Sequence, residues 1–322
     1  MSKTRQKRLV GPVIALRTFR TDDGKLDLAK QERHLRWLID QGITEGNGVV
    51  MGAGGGGEGY FMDDGEWRAV VELTADACGG RVPCLAGIFE LSARAAARKA
   101  ALAAELGIDF VQVQPPHYMV PTDEEVFAHY QAINDAADVG IMCYNSPWAM
   151  PRPGYELTPP LFERLCGLAN VEGVKWSSYD MRNFVTCLRL FAGELNFISN
   201  QPPFVLSIPI KLGMTGFIDS RGNVAPRLVL HIWDLWQNKR YDEYDALTLR
   251  MSIDPKLRVH MPEELQWRGM GEGPLARLDM EASGLSMGPP FPAQQPLSEE
   301  FVKNFREGHE KSGLAEWIDW RE

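Results

Sequence analysis

No stretch of this sequence approaches the roughly 18 uninterrupted apolar residues that a membrane-crossing helix needs, so no membrane partner is expected. Cysteine is scarce: Cys78, Cys84, Cys143, Cys166 and Cys187 are odd in number, widely spaced and without a C-x-x-C pair. That argues against a disulfide framework or a zinc site and points to a reducing compartment. The six histidines show no ligand spacing, so a protein-held metal is not expected. Basic residues are in the minority, with 34 Lys and Arg against 43 Asp and Glu, and no basic cluster follows the first few residues. A nucleic-acid partner is therefore not expected either. The opening MSKTRQKRLVGPVIALRT starts basic and turns apolar, but Arg17 interrupts it before any small-residue cleavage site. It reads as a cytoplasmic N-terminus.

What is present is an ordinary globular composition in 322 residues, 44% hydrophobic and 10% aromatic. That is enough chain for one large barrel or two smaller domains. Short β-branched or apolar runs predict strands at 13–18, 46–51, 82–88, 110–114, 140–145, 172–177, 195–200 and 214–220. Between the earlier ones lie helix patterns such as DLAKQERHLRWLIDQG and TDEEVFAHYQAINDAADVG, opened by Asp, Ser or Thr and several closed by Gly. Eight strands in strict βα alternation predict an α/β fold, a closed (β/α)8 TIM barrel, in preference to an open sheet. Beyond about residue 225 the strand signals stop. The expected organisation is a barrel over 1–224 carrying the active site, then its last helix and a C-terminal helical subdomain over 225–322.

The stretch GVVMGAGGGGEGYF contains Gly52, Gly54 and Gly57 in a G-x-G-x-x-G pattern, the signature of a dinucleotide cradle. In such a cradle the glycines follow the first strand and run straight into a helix. Here they follow the second strand, the helix start is delayed to Asp63 or Asp64, and the carboxylate some 20 residues on, Glu72, falls in mid-helix. An NAD-binding oxidoreductase is the least favoured function. A flexible turn is one remaining reading; the other is a βα loop at the barrel rim, whose backbone N–H groups can approach an anion closely.

Polar residues at strand ends are the candidates for chemistry. Lys175 ends strand six in EGVKWSS, where Val174 and Trp176 are expected to surround its amine with poorly hydrating groups and lower its pKa. Tyr144 ends strand five in MCYNSPW, within reach of strand six, where it could move protons. Alternatively the lysine is a solvated rim residue and the tyrosine a packing residue.

At these positions the chain resembles the dihydrodipicolinate synthase and N-acetylneuraminate lyase family, the pyruvate-type class I aldolases. The family's G-T-T-G-E is matched by Gly54, Gly55, Gly56, Gly57 and Glu58, its P-P-Y-Y-x-x-P-T by PPHYMVPT, and its Y-N-x-P by YNSP. GVKWSSYD resembles G-x-K-x-S-S-G-D, and GMTGFIDSRGNVAP resembles G-x-x-G-x-I-S-x-x-x-N-V-A-P, in the same order and approximate spacing. The resemblance implies a Schiff base on Lys175, with no cofactor, and proton transfer by Tyr144. It implies that Tyr118 reaches a neighbouring subunit's site, hence a homo-oligomer, dimer or tetramer, and that Ile218 lines the pocket for a 2-oxo acid.

The departures are informative. The two threonines whose hydroxyls bind the ketoacid carboxylate and complete a proton relay are here Gly55 and Gly56, so with Gly57 they form a carboxylate loop stripped of its hydroxyls. The arginine that follows Y-N-x-P in the true synthase is absent; Trp148, Ala149 and Met150 stand there. Trp176 and Tyr179 replace smaller or polar family residues. They either give the mouth an aromatic lining or pack against the C-terminal helices. Arg221 either supplies the missing cation or is a solvated surface residue. The expected reaction is reversible aldol cleavage of a 2-oxo acid giving pyruvate and a bulky or apolar aldehyde. A dehydratase or hydratase-aldolase on the same lysine is the alternative, and a non-catalytic ketoacid binder the alternative of another class.

Overall fold

The computed structural model describes residues 8–252 and 272–320. Eight parallel strands close into one barrel in sequence order: β1 Gly11–Ala15, β2 Val49–Gly52, β3 Cys84–Ile88, β4 Phe110–Val113, β5 Gly140–Asn145, β6 Val171–Trp176, β7 Asn196–Ser199 and β8 Gly216–Ile218. Each overlaps a strand expected from sequence, and the barrel shuts through β1 pairing with β8. Helices α1 Leu28–Asp40, α2 Asp64–Cys78, α3 Ala93–Glu105, α4 Asp123–Ala136, α5 Pro159–Cys166, α6 Met181–Phe191 and α7 Ser207–Lys211 follow the strands in turn, and they form for local reasons. In α2, Asp64–Cys78, the Asp63 side chain accepts from Glu66 N at the start, and Gly79 takes a left-handed φ of 50° at the end. In α4, Asp123–Ala136, Thr122 and Glu125 cap each other reciprocally.

Strand alternation sorts the side chains into two cores. The inner one fills the barrel floor with Leu9, Val13, Val49, Met51, Leu85, Phe110, Met142 and Ile198. Leu9 reaches in because Gly173 has no side chain; a Cβ there would lie 2.8 Å from Leu9 Cδ2. The outer core lies between the strands and the helices α5, Pro159–Cys166, and α6, Met181–Phe191, among others. Trp176 belongs to this outer core.

After β8 the described elements are helices, joined by turns and irregular chain: α8 Pro226–Gln237, α9 Tyr241–Arg250, an arm helix Gly273–Ala282 and a final helix Glu299–Lys311. Part of the expected subdomain over 225–322 lies outside the described residues. No helix among the described residues is long and apolar enough to cross a membrane.

Candidate active site

The parallel register of β5 and β6 aligns Tyr144 with Lys175. Both lie on the inner face, two residues above Met142 and Gly173. Lys175 is only 4% exposed, and its Nζ sits 4.2 Å from the centroid of the Tyr144 ring. Burial pulls the Lys175 amine from its ordinary 10.5 down to about 8, with the charge of Glu272 opposing the shift. Burial, with a contribution from Glu272, pushes the Tyr144 hydroxyl far up, and a hydrogen bond with Ser177 opposes that. The site thus holds an amine that is partly free near neutral pH beside a phenol that keeps its proton.

Val174 and Trp176 do not surround the amine. A β-strand sends successive side chains to opposite faces, so both point outward. Trp176 is 0% exposed and stacks 5.0 Å from Phe184, with Phe162 and Phe197 nearby, all in the layer between sheet and helices. The expected desolvation of Lys175 is present, but its source is the barrel interior. Trp176 therefore lines no mouth and is a packing residue, and the helices that hold it are α5 and α6 of the barrel instead of the C-terminal ones. Tyr179 is exposed.

Trp148 does reach the cluster. From the turn Pro147–Ala149 after β5 it donates Nε1–H to Ser177 Oγ at 3.2 Å, and Asn200 Nδ2 donates to the same oxygen at 2.8 Å. Ile218 is on the inner face of β8 and packs against the inner core. Tyr118 is 78% exposed and stands outside its own chain's cluster. Arg221 donates Nε and Nη2 to the Asp219 carboxylate at 2.9 and 2.6 Å, and Nη1 to Met251 O at 3.3 Å. Neither a solvated residue nor an uncommitted cation, it is tied down beside α9.

The glycine loop follows β2 and delays the helix to Asp64. Gly57 permits close packing, since a Cβ would come 2.6 Å from Leu16 O. Gly55 and Gly56 are different: the atoms a Cβ would meet first belong to other side chains, Glu272 Oε2 at 3.5 Å and Arg17 Nη1 at 2.6 Å. Arg17 is buried, donates Nη1 to Gly56 O at 2.8 Å, and its Nε has no partner among the described residues. Among the described residues, no group of three or more His, Cys, Asp or Glu is arranged to hold a metal.

Over residues 8–257 the chain matches the model of the Dihydrodipicolinate synthetase family. The chain belongs to that family. The 4-hydroxy-tetrahydrodipicolinate synthase of Methylobacterium radiotolerans is 33% identical over 257 residues, 79% of this chain and 82% of its own. The enzyme of the same name from Clostridium novyi is 29% identical over 231 residues, 72% of this chain and 75% of its own. Among solved structures, the chloride-inhibited dihydrodipicolinate synthase of Acinetobacter baumannii, complexed with pyruvate, shares the fold with a TM-score of 0.80 at 22% identity. The match covers 95% of this chain and 99% of that one. Membership makes the chain a class I, Schiff-base lyase. Enzymes of this family act on pyruvate through a lysine imine and use no cofactor.

Against that family background, sequence reasoning missed three residues at the mouth. Arg17 follows the end of β1, a rim position legible in VIALRT, although in sequence it stands out only as a break in an apolar run. Tyr60 belongs to the quoted glycine loop; its hydroxyl accepts the Glu272 N–H at 2.9 Å. Glu272 carries no signal in sequence, because only the return of the C-terminal arm brings it to the barrel.

Proposed function

We propose that this lyase forms its imine between Lys175 and the keto carbon of a 2-oxo acid, and that the reaction is reversible aldol cleavage releasing pyruvate and a bulky or apolar aldehyde. The observation that carries the reading is the Lys175 amine, buried in the barrel, lowered to about 8 and set 4.2 Å from the Tyr144 ring. With a pKa of about 8, about a tenth of the amine is unprotonated at pH 7, roughly 300-fold more than for an ordinary lysine. The free amine adds to the carbonyl, water leaves, and the protonated imine draws electrons from the bond beta to it, so that bond breaks. Tyr144, which keeps its proton, serves as donor to the carbinolamine oxygen as water departs.

The apolar aldehyde follows from Trp148 standing where the synthase has its carboxylate-binding arginine, with no free cation from Arg221. Gly55, Gly56 and Gly57 are the proposed site of the ketoacid carboxylate, and Ile218 a wall of the same pocket. The proposed organisation remains a barrel over 1–224 and a C-terminal unit over 225–322, in a cytoplasmic homo-oligomer. Tyr118, exposed together with its neighbour Met119, is proposed to enter a neighbouring subunit's site.

The test is borohydride reduction with pyruvate, read by intact mass and peptide mapping, with Lys175→Ala as control. A pyruvyl-sized adduct confined to Lys175 is expected. Folded protein that traps neither pyruvate nor larger 2-oxo acids would overturn the reading. Turnover of pyruvate with a panel of aromatic and sugar-derived aldehydes then separates aldol chemistry with apolar partners from other lyase reactions.

A further inference from the structure

The arm helix is fastened over the glycine loop by buried polar contacts. Arg277 Nη2 meets Glu58 Oε2 at 2.6 Å, and Gln294 Nε2 donates to Glu58 Oε1 at 2.7 Å. Arg17 Nη2 lies 3.9 Å from Asp279 Oδ2. Glu58 is 1% exposed and takes a left-handed φ of 58°, so the loop turns its one carboxylate toward the arm. A buried ion pair returns little net stability after desolvation; its effect is to favour one arrangement of the two segments.

What that arrangement delivers is Glu272, the residue preceding the arm helix. Its backbone N–H is on Tyr60, and its carboxylate faces Gly55, where a Cβ would lie 3.5 and 3.6 Å from its two oxygens. Gly55 stands at one of the family's two threonine positions, so the carboxylate lies against the space that the threonine hydroxyl would use. Its charge acts on the amine of Lys175 and on the hydroxyls of Tyr144 and Tyr60. Both phenols are pushed upward, chiefly by burial, so they donate protons but do not accept them near neutral pH. Among the described residues, the nearby carboxylates of Glu58 and Asp279 face Arg277 and Arg17, which leaves Glu272 as the carboxylate turned toward Gly55.

We propose that Glu272 is a catalytic acid–base residue of this site, supplied by the C-terminal arm in place of the threonine relay. The inference rests on imine formation at Lys175. In the step assigned to it, the Glu272 carboxylate takes a proton from C3 of the protonated imine. The C3–H electron pair becomes the C2–C3 double bond, and the C=N π pair moves onto nitrogen, giving the neutral enamine. Protonation of the enamine at C3 by the carboxylic acid is the same step reversed, and no other reactant is consumed.

Two readouts separate this role from the lysine's. Borohydride trapping of pyruvate reports the imine, and loss of the pyruvate methyl signal in deuterated water, followed by proton NMR, reports transfer at C3. Glu272→Gln is expected to give the same Lys175 adduct while exchange falls about 100-fold or more. Glu272→Asp is expected to recover part of that loss. Glu272 makes no side-chain capping bond, so these variants leave the arm helix intact. Should Glu272→Gln not fold, Glu272→Asp alone still decides, because a carboxylate drawn back by one methylene must slow exchange without slowing trapping. Exchange within about threefold of the parent in Glu272→Gln, or trapping and exchange lost together, overturns the proposal. If the parent traps no 2-oxo acid at all, the Schiff-base reading itself falls, and the role of Glu272 with it.

Discussion

On the inner face of β5 and β6, Tyr144 and Lys175 share a register position; one residue on, Asn145 and Trp176 share the next, on the outer face. All four are buried, so burial does not tell them apart. Their neighbours do. Asn145 donates to Glu156 at 2.9 Å and accepts from Leu157 N at 3.0 Å, and Trp176 stacks among phenylalanines, so the outer pair ties the strands to the layer outside. The inner pair meets above an apolar floor, where the amine loses water without gaining an ion-pair partner among the described residues. One face builds the scaffold and the other holds a reactive group, although the residues alternate along the same two strands.

The comparison breaks most sharply at Lys175. Lys175→Ala is expected to abolish imine trapping and lower turnover by on the order of 10⁴-fold or more, with the folded state retained on urea unfolding. Equal loss of stability and activity would mean that the inner face is scaffold too. Trp176→Ala is expected to do the opposite, costing about 3–5 kcal/mol in urea unfolding while the folded fraction still traps a 2-oxo acid at Lys175. Trp176→Phe should cost less, because it also removes a buried Nε1–H that has no partner among the described residues.

Tyr144→Phe sharpens the contrast within the inner pair. Turnover is expected to fall about 100-fold with stability little changed, since the ring still packs beside Lys175 and only the hydroxyl, with its Ser177 hydrogen bond, is lost. The smallest effect is in pH. The rate of imine trapping is expected to rise as pH passes about 8 and to level off above it, as the amine loses its proton. A midpoint near the ordinary 10.5 would show a solvated lysine. Linkage has the same sign: the unfolded amine holds its proton more tightly, so this group makes unfolding less favourable as pH rises from about 8 toward 10.5.

Much of this was legible in the chain. The eight strand runs, the caps at Asp63 and Thr122 and the delayed helix after the glycines are local signals, set by turn chemistry and hydrogen bonds within a few residues. The pairing of Tyr144 with Lys175 follows from two strand ends in adjacent positions. Trp176 was equally readable, because a period of two separates it from Lys175; grouping Val174, Lys175 and Trp176 by sequence adjacency ignores the pleat. Arg221 was readable only in part: its Asp219 partner lies two residues away, but its Met251 partner comes from the end of α9.

By itself, then, the amino-acid sequence determined the succession of strands and helices, the barrel they close and the lysine at its upper rim, because each depends on periodicity and short-range geometry. Only the tertiary structure decided what stands in the space at Gly55 and Gly56. Arg17 and Glu272 come from opposite ends of the chain, and the buried Glu58–Arg277 pair that aligns them joins residues 219 positions apart. Contacts of that range form only when the packed barrel and the returning arm bring them together, so no local pattern encodes them.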